Sequence, residues 1–200
     1  MVDNMLNTVF TIGHGTAKLQ SFIDNLNHYK NGETYIIDVR SVPYSSYVPQ
    51  FNADYLKTEL KKFGFHYVPM GKEFGARRLE FEAYNDNSQV DFNKTALLDS
   101  FQNGINRIKN GLALSCNLIL MCSEKDPLEC HRFALISRAL SKEGIAVNHI
   151  IDNDVISQEQ AEEELVIKYQ SKIDFLFSSQ AEQIEQAYAL LNNAIGYKKV

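Results

Sequence analysis

The chain has 200 residues, 20 of them basic and 25 acidic, with a formal net charge of −5. A chain of this length forms one sizeable α/β domain and needs no disulfide or metal to hold its core, and its ordinary hydrophobic and charged fractions exclude a fibrous, disordered or membrane-spanning protein. Residues 1–150 carry acids and bases in equal number while the last fifty carry nine acids against four bases, so the body lacks the basic face that non-specific nucleic-acid binding needs.

Strand and helix signals alternate along the chain. Apolar runs rich in β-branched and aromatic residues at 8–13, 35–40, 65–70, 116–122 and 147–152 read as strands buried on both faces. Between them, amphipathic stretches at about 17–30, 53–63, 93–110 and 127–142 read as helices. Asn52 is placed to cap the second and Gly64 to end it; Asp126, Pro127 and Glu129 start the fourth and Gly144 stops it. This order predicts an α/β fold of three layers, a mainly parallel five-stranded sheet with helices on both faces. Helical segments near 157–170 and 179–195 form a C-terminal appendage. The expected division is an α/β domain over 1–152 and an acidic helical extension over 153–200 packed on it. Three cysteines, odd in number, and no signal-peptide pattern point to reduced thiols in a cytoplasmic protein that avoids membranes.

In such a sheet, ligands bind outside the carboxyl ends of the strands. The first strand ends at Gly13, His14 and Gly15, and the second at Asp38, Arg40 and Ser41. Arg77 and Arg78 follow the third, and Cys122, Ser123 and Glu124 follow the fourth. The opposite edge carries far fewer ionisable groups, and buried polar groups cost free energy unless paired or used. Asp38 and Arg40, two residues apart, share a face, so they form either a buried anchoring pair or an orienting acid with an anion-binding fork. Tyr44 and Tyr47 either offer a stacking wall or simply pack. Glycines around His14 and a capping Thr16 suit close approach of an anion, although neither a phosphate-loop nor a dinucleotide fingerprint is present.

The segment "MCSEKDPLECHRFALISRAL" (121–140) carries the densest chemistry. On one continuous helix, Cys130 and Arg132 fall on opposite flanks of the core-facing stripe and His131 points away, so these three do not converge. The C-x7-C-H spacing lacks a second ligand pair, and no metal is expected. A helix N-terminus and Arg132 would lower the Cys130 thiol, whereas Cys122 stays neutral at the end of an apolar strand.

"TIGHGT", "DVRSVPYSSYVPQFN", "GKEFGARR" and "MCSEKDPLECHRFALISRAL" followed by "VNHI" closely resemble, in this order, the signature segments of the family called domain of unknown function 488, from about Thr11 to Ile150. The resemblance places the family's characteristic polar positions on His14, Asp38, Arg40, Pro43, Ser45, Gly75, Cys122, Glu124, Cys130, His131 and Arg132. Gly15 stands where the family often has serine, and Ser46 where a basic residue is common.

Together these readings predict a hydrolase or transferase acting on an anionic ligand (a nucleotide, a nucleic acid end or a sugar phosphate) with no cofactor. Arg40, Arg132 and Arg77 or Arg78 would clamp the anion, with Ser45 and His131 as further ligand contacts; Asp38 would orient Arg40, and His14 and Glu124 would serve as acid and base. Two other readings stand beside it. One is a non-catalytic module that senses a nucleotide or binds a partner, homo-oligomers included. The other is a thiol-dependent enzyme using Cys130 or Cys122.

Overall fold

A computed structural model describes residues 7–152 and 154–199. Residue 153, where the sequence reading starts its extension, lies outside them. In chain order the elements are β1 (Thr8–Gly13), α1 (Leu19–His28), β2 (Thr34–Asp38), α2 (Ala53–Lys62), β3 (His66–Pro69), α3 (Gly71–Phe74), α4 (Phe92–Ala96), α5 (Asp99–Ala113), β4 (Asn117–Cys122), α6 (Arg138–Lys142), β5 (Ala146–Ile151), β6 (Asp154–Ser157), α7 (Gln158–Lys168) and α8 (Gln180–Ile195).

The strands form one sheet in the order β3-β2-β4-β1-β5-β6. All pairings are parallel except β5 with β6, which is antiparallel. The fold is therefore α/β, with six strands rather than five. The additional strand lies at the start of the extension, just ahead of the helical segment expected near 157–170: "DVIS" is short, sits at the edge of the sheet and is largely exposed, so it lacks the apolar run that reveals a buried strand.

Side chains alternate along β4. Leu118, Leu120 and Cys122 enter one core with Phe101, Ile105 and Ile108 of α5 and Phe133 and Ile136 of the segment before α6, while Ile119 and Met121 enter the other with Phe22, Leu26, Leu56 and Leu60 of α1 and α2. The parity of Cys122 thus points it at the segment that follows its own strand. The first core also takes in Ala161 and Leu165 of α7 and Ala187, Tyr188 and Leu191 of α8. Among the described residues, no helix is long and apolar enough to cross a membrane.

Several helix ends depart from expectation. Asn52 precedes α2 but its Oδ1 accepts from the Ser45 N–H at 2.7 Å instead of capping, and α1 starts after Lys18, so Thr16 caps nothing. The stretch expected as one helix over 93–110 is α4 and α5, broken at Leu98 in an extended conformation. The largest departure is at 127–142. Asp126 does cap, accepting from the Leu128 N–H at 2.8 Å, but it opens only a 3₁₀ turn over Pro127–Glu129. Cys130 is then extended (φ −131°, ψ 138°), Arg132–Ser137 is π-helical, and α6 contributes the last five residues.

A buried hydrogen-bond chain ties the C-terminal helices to the sheet. Thr11 Oγ1 meets His149 Nδ1 at 2.8 Å, and His149 Nε2 meets Gln158 Oε1 at 2.8 Å. Gln158 Nε2 donates to the Tyr188 hydroxyl at 2.6 Å, which donates in turn to Glu162 at 2.7 Å.

Two imidazoles, His14 and His149, are buried and held neutral, each lowered to about 4, first by burial. In the unfolded chain both bind protons near pH 6.5. Their contribution to stability, on the order of 3 kcal/mol each, is therefore fully present above that pH and lost as pH falls toward 4. Urea titrations at stepped pH are expected to show the midpoint falling through this window, with His149→Gln removing about half of the slope; an unchanged slope in that variant contradicts the assignment.

Candidate active site at the carboxyl edge

The ends of β2, β4 and β1 lie side by side, with Gly13 in register with Cys122 and Asp38 with Met121. Past the strands, the His14 N–H donates to the Cys122 carbonyl at 3.0 Å and the Gly15 N–H to that of Ser123 at 2.8 Å. The turn at Glu124 and Lys125 then folds over Gly13, where a Cβ would lie inside the envelope of the Glu124 carbonyl oxygen. Arg132, fully buried, fastens this turn: Nη1 donates to the Glu124 carbonyl at 2.5 Å, Nη2 to that of Lys125 at 2.9 Å, and Nε reaches Thr11 Oγ1 at 3.4 Å. The sequence reading gave Arg132 an anion-clamping role; its N–H groups instead hold the protein's own backbone.

The Arg40 guanidinium is held by four hydrogen bonds to three residues. Its Nε and Nη2 form a fork on Asp38 (2.8 and 2.6 Å), Nη2 also donates to the Phe51 carbonyl at 2.8 Å, and Nη1 meets His14 Nε2 at 3.1 Å. Four of its five N–H groups are so engaged, leaving one on Nη1. Asp38 further accepts from the Tyr67 hydroxyl at 2.6 Å, and burial beside that carboxylate raises Tyr67, keeping it a neutral donor. His14 stacks on Phe51 with ring centroids 4.1 Å apart. Its Nδ1 lies 2.8 Å from the Gly15 carbonyl, so the proton sits on Nδ1 and Nε2 accepts from Arg40. With both nitrogens engaged and its affinity for protons depressed, His14 is built to position Arg40; a role in proton transfer would require these bonds to break.

The third group corrects the expected divergence of Cys130 and His131. Because Cys130 is extended and not helical, its thiol turns back toward Cys122. Both thiols donate to Glu124 Oε2, from Cys122 at 3.0 Å and from Cys130 at 3.1 Å. His131 Nε2 faces the Val39 carbonyl at 3.3 Å, directing Nδ1 toward the sulfurs at 3.8 and 3.9 Å. One donor atom from each of Cys122, Glu124, Cys130 and His131 lies within 4.8 Å of the others, a set able to hold a metal ion. Glu124 is exposed as a residue, yet its carboxyl is raised above the usual range, first by partial desolvation and then by Cys130. For Cys130, burial alone would raise the thiol; the hydrogen bond with Cys122 and the nearby Arg132 and His131 outweigh it, so Cys130 ionises before Cys122.

Above these groups opens a cleft of about 340 Å³ lined by His14, Thr16, Arg40, Val42, Tyr44, Ser45, Tyr47, Glu124 and Lys125, among others. Tyr44 and Tyr47 are 70% and 82% exposed. Ser45 lines the cleft while its Oγ accepts from the Tyr47 and Val48 N–H groups at 3.1 and 3.4 Å, shaping the loop that carries the tyrosines. Neither thiol is among the lining residues; Glu124 stands between them and the cleft. Arg77 and Arg78 do not line it either. Arg78 is buried against the Glu73 carbonyl, Glu80 and Ser100, and Arg77 lies over the Tyr197 ring. Sequence reasoning missed Tyr67, Phe51 and Lys125. Lys125 directly follows the selected Glu124, whereas Tyr67 and Phe51 arrive by packing between elements and leave no local signal.

The family model described as "Domain of unknown function DUF488" matches residues 18–139. The chain belongs to this family. No curated protein and no solved structure matches it. The DUF488 match spans Asp38, Arg40, Ser45 and the whole Cys122 to Arg132 cluster, while His14, His149 and the helices α7 and α8 lie outside it. In this DUF488 protein the cleft is thus completed by His14, Gly15 and Thr16 of the loop after β1, which precedes the matched region.

The Asp38 and Arg40 pair is nearly buried, at 1% and 7% exposed. Asp38→Ala leaves a guanidinium uncompensated and is expected to destabilise by about 3–5 kcal/mol, whereas Asp38→Leu with Arg40→Met recovers most of that loss. Urea unfolding of the single and double variants tests this; a loss below about 1 kcal/mol for Asp38→Ala contradicts it.

Proposed function

We propose that this DUF488 protein is a hydrolase or transferase acting on a small anionic ligand that carries a planar ring, a nucleotide being the best match to the cleft. The observation that carries this reading is the pairing, in one cleft, of a rigidly held arginine with two exposed tyrosines. A guanidinium fixed by four hydrogen bonds meets an anion at little entropic cost, and exposed rings offer stacking to any base. The remaining Nη1 N–H of Arg40 supplies a donor and Lys125 supplies further positive charge, although Lys125 also pairs with Asp152 at 2.8 Å on the surface. Glu124, facing the cleft with a raised pKa, is the residue suited to move a proton. Asp38 and His14 hold Arg40.

Calorimetric titration with inorganic phosphate and with a nucleoside monophosphate tests the reading. Arg40→Lys keeps a cation opposite Asp38 and preserves folding, but it loses the fork and is expected to weaken both ligands about tenfold or more. Tyr47→Ala is expected to weaken the nucleotide by about 1–3 kcal/mol and leave inorganic phosphate unchanged. Unaltered affinity of folded Arg40→Lys for both ligands removes the proposal. Binding without turnover across phosphate esters and phosphoryl acceptors would instead make the protein a ligand-sensing module.

A further inference from the structure

We propose that Cys122, Glu124, Cys130 and His131 form a divalent-metal site of the zinc class, with Cys122, Cys130 and His131 as fixed ligands and Glu124 as an exchangeable fourth ligand facing the cleft. The donor types suit the ion: thiolate sulfur and imidazole nitrogen select zinc among the common divalent metals, and a carboxylate completes a tetrahedron. The spacing suits it as well. Bonds of about 2.3 Å to sulfur and about 2.0 Å to nitrogen or oxygen place the corners of a tetrahedron roughly 3.5 Å apart, and here His131 Nδ1 lies 3.8 and 3.9 Å from the two sulfurs while Glu124 Oε2 lies 3.0 and 3.1 Å from them. All four atoms fall within 4.8 Å of one another.

Two features outside the ligand set point the same way. The Val39 carbonyl accepts from His131 Nε2 at 3.3 Å, which fixes the tautomer and leaves the Nδ1 lone pair for the ion, as the outer partner of a metal-bound histidine does. Charge is the second. Arg132 is fully buried, and among the described residues its guanidinium bonds end on neutral oxygens only, those of Thr11, Glu124 and Lys125. Two thiolates, one carboxylate and a divalent cation sum to minus one, and the adjacent guanidinium cancels that charge. The backbone N–H of Arg132 also donates to Cys130 Sγ at 3.4 Å.

Binding displaces the thiol protons to solvent, so the Glu124 oxygen that now accepts from both thiols becomes free to bind the metal or to leave it. With Cys122, Cys130 and His131 buried and Glu124 exposed, Glu124 is the ligand that could leave, and its departure would give the three-ligand arrangement of an open zinc site. A water or substrate oxygen arriving through the cleft would take the place of Glu124, which would then accept or return its proton. The metal site stands independently of the anion reading; only its use on a cleft-bound ligand rests on that reading.

The test uses the full chain, reduced and freed of metal, titrated with Co²⁺ and then Zn²⁺. The expected result is one Co²⁺ per chain with an intense thiolate charge-transfer band and tetrahedral visible bands, displaced by Zn²⁺. Cys122→Ser and Cys130→Ser should abolish the charge-transfer band or cut it at least in half. Cys116→Ser, at the opposite end of β4, should leave it intact. Glu124→Gln should retain the metal, with about tenfold weaker binding and altered visible bands. Should the serine variants fail to fold, protection decides: Zn²⁺ must slow alkylation of Cys122 and Cys130 in the native chain while leaving Cys116 unaffected. Absence of a charge-transfer band, or alkylation of Cys130 at the same rate with and without Zn²⁺, overturns the proposal and returns the cluster to free thiol chemistry. Arg40→Lys separates the two readings, because it should keep the cobalt spectrum whether or not phosphate binding is lost.

Discussion

The guanidinium of Arg132, entirely removed from water, sits where the chain segments that build the carboxyl edge cross. Its two terminal nitrogens hold the carbonyls of Glu124 and Lys125, and its Nε reaches Thr11 in β1. Removing that cation would release the turn after β4, and with it the carboxylate that bridges the two thiols and walls the cleft. A buried charge is tolerated only when its hydrogen bonds are nearly complete and an opposite charge lies close. Cys130, the thiol that ionises first, is the acid that Arg132 favours in its charged form, so the position of the turn and the ionisation of that thiol depend on one another.

The second fixed cation, Arg40, works by the opposite arrangement. It has a carboxylate of its own in Asp38, and its remaining contacts to His14 and the Phe51 carbonyl serve to aim it. Two arginines within one strand-end cluster therefore differ in kind: one is compensated locally and presents a spare donor to the cleft, and the other organises backbone from below. The sequence marks the difference in part: Asp38 stands two residues before Arg40 on the same strand face, whereas no carboxylate stands two residues from Arg132.

What could be read from the sequence follows physical lines. β1, β2, β4 and β5 were legible because their interior places in the sheet leave apolar runs. The edge strand β3 was legible because Phe65, Tyr67 and Val68 supply β-prone residues despite its partial exposure, and the parallel α/β architecture followed from the alternation of these strands with helices. The sixth strand was not, because an exposed edge of four residues leaves no such run. The strand ends identified Asp38, Arg40, Cys122 and Glu124 as neighbours, which the sheet order makes unavoidable once β2, β4 and β1 are adjacent. The relation of Cys130 to Cys122 was lost because residues 127–142 carry an amphipathic pattern that an α-helix would satisfy; the 3₁₀ turn, the extended residue 130 and the π-helical stretch satisfy it too, with different side-chain directions. The parity of β4 held the missed clue, since Leu118, Leu120 and Cys122 share the face that this segment covers.

The hydrogen-bond chain from Thr11 through His149, Gln158 and Tyr188 to Glu162 gives the acidic C-terminal helices a part in the site without touching it. They cover β5 on the face that also carries Cys122 and Arg132, excluding solvent from the imidazole that lies one hydroxyl away from Arg132. A chain lacking those helices would admit water and a proton to that face, placing two cations back to back. The tail therefore acts as electrical insulation for the buried cation that holds the turn after β4.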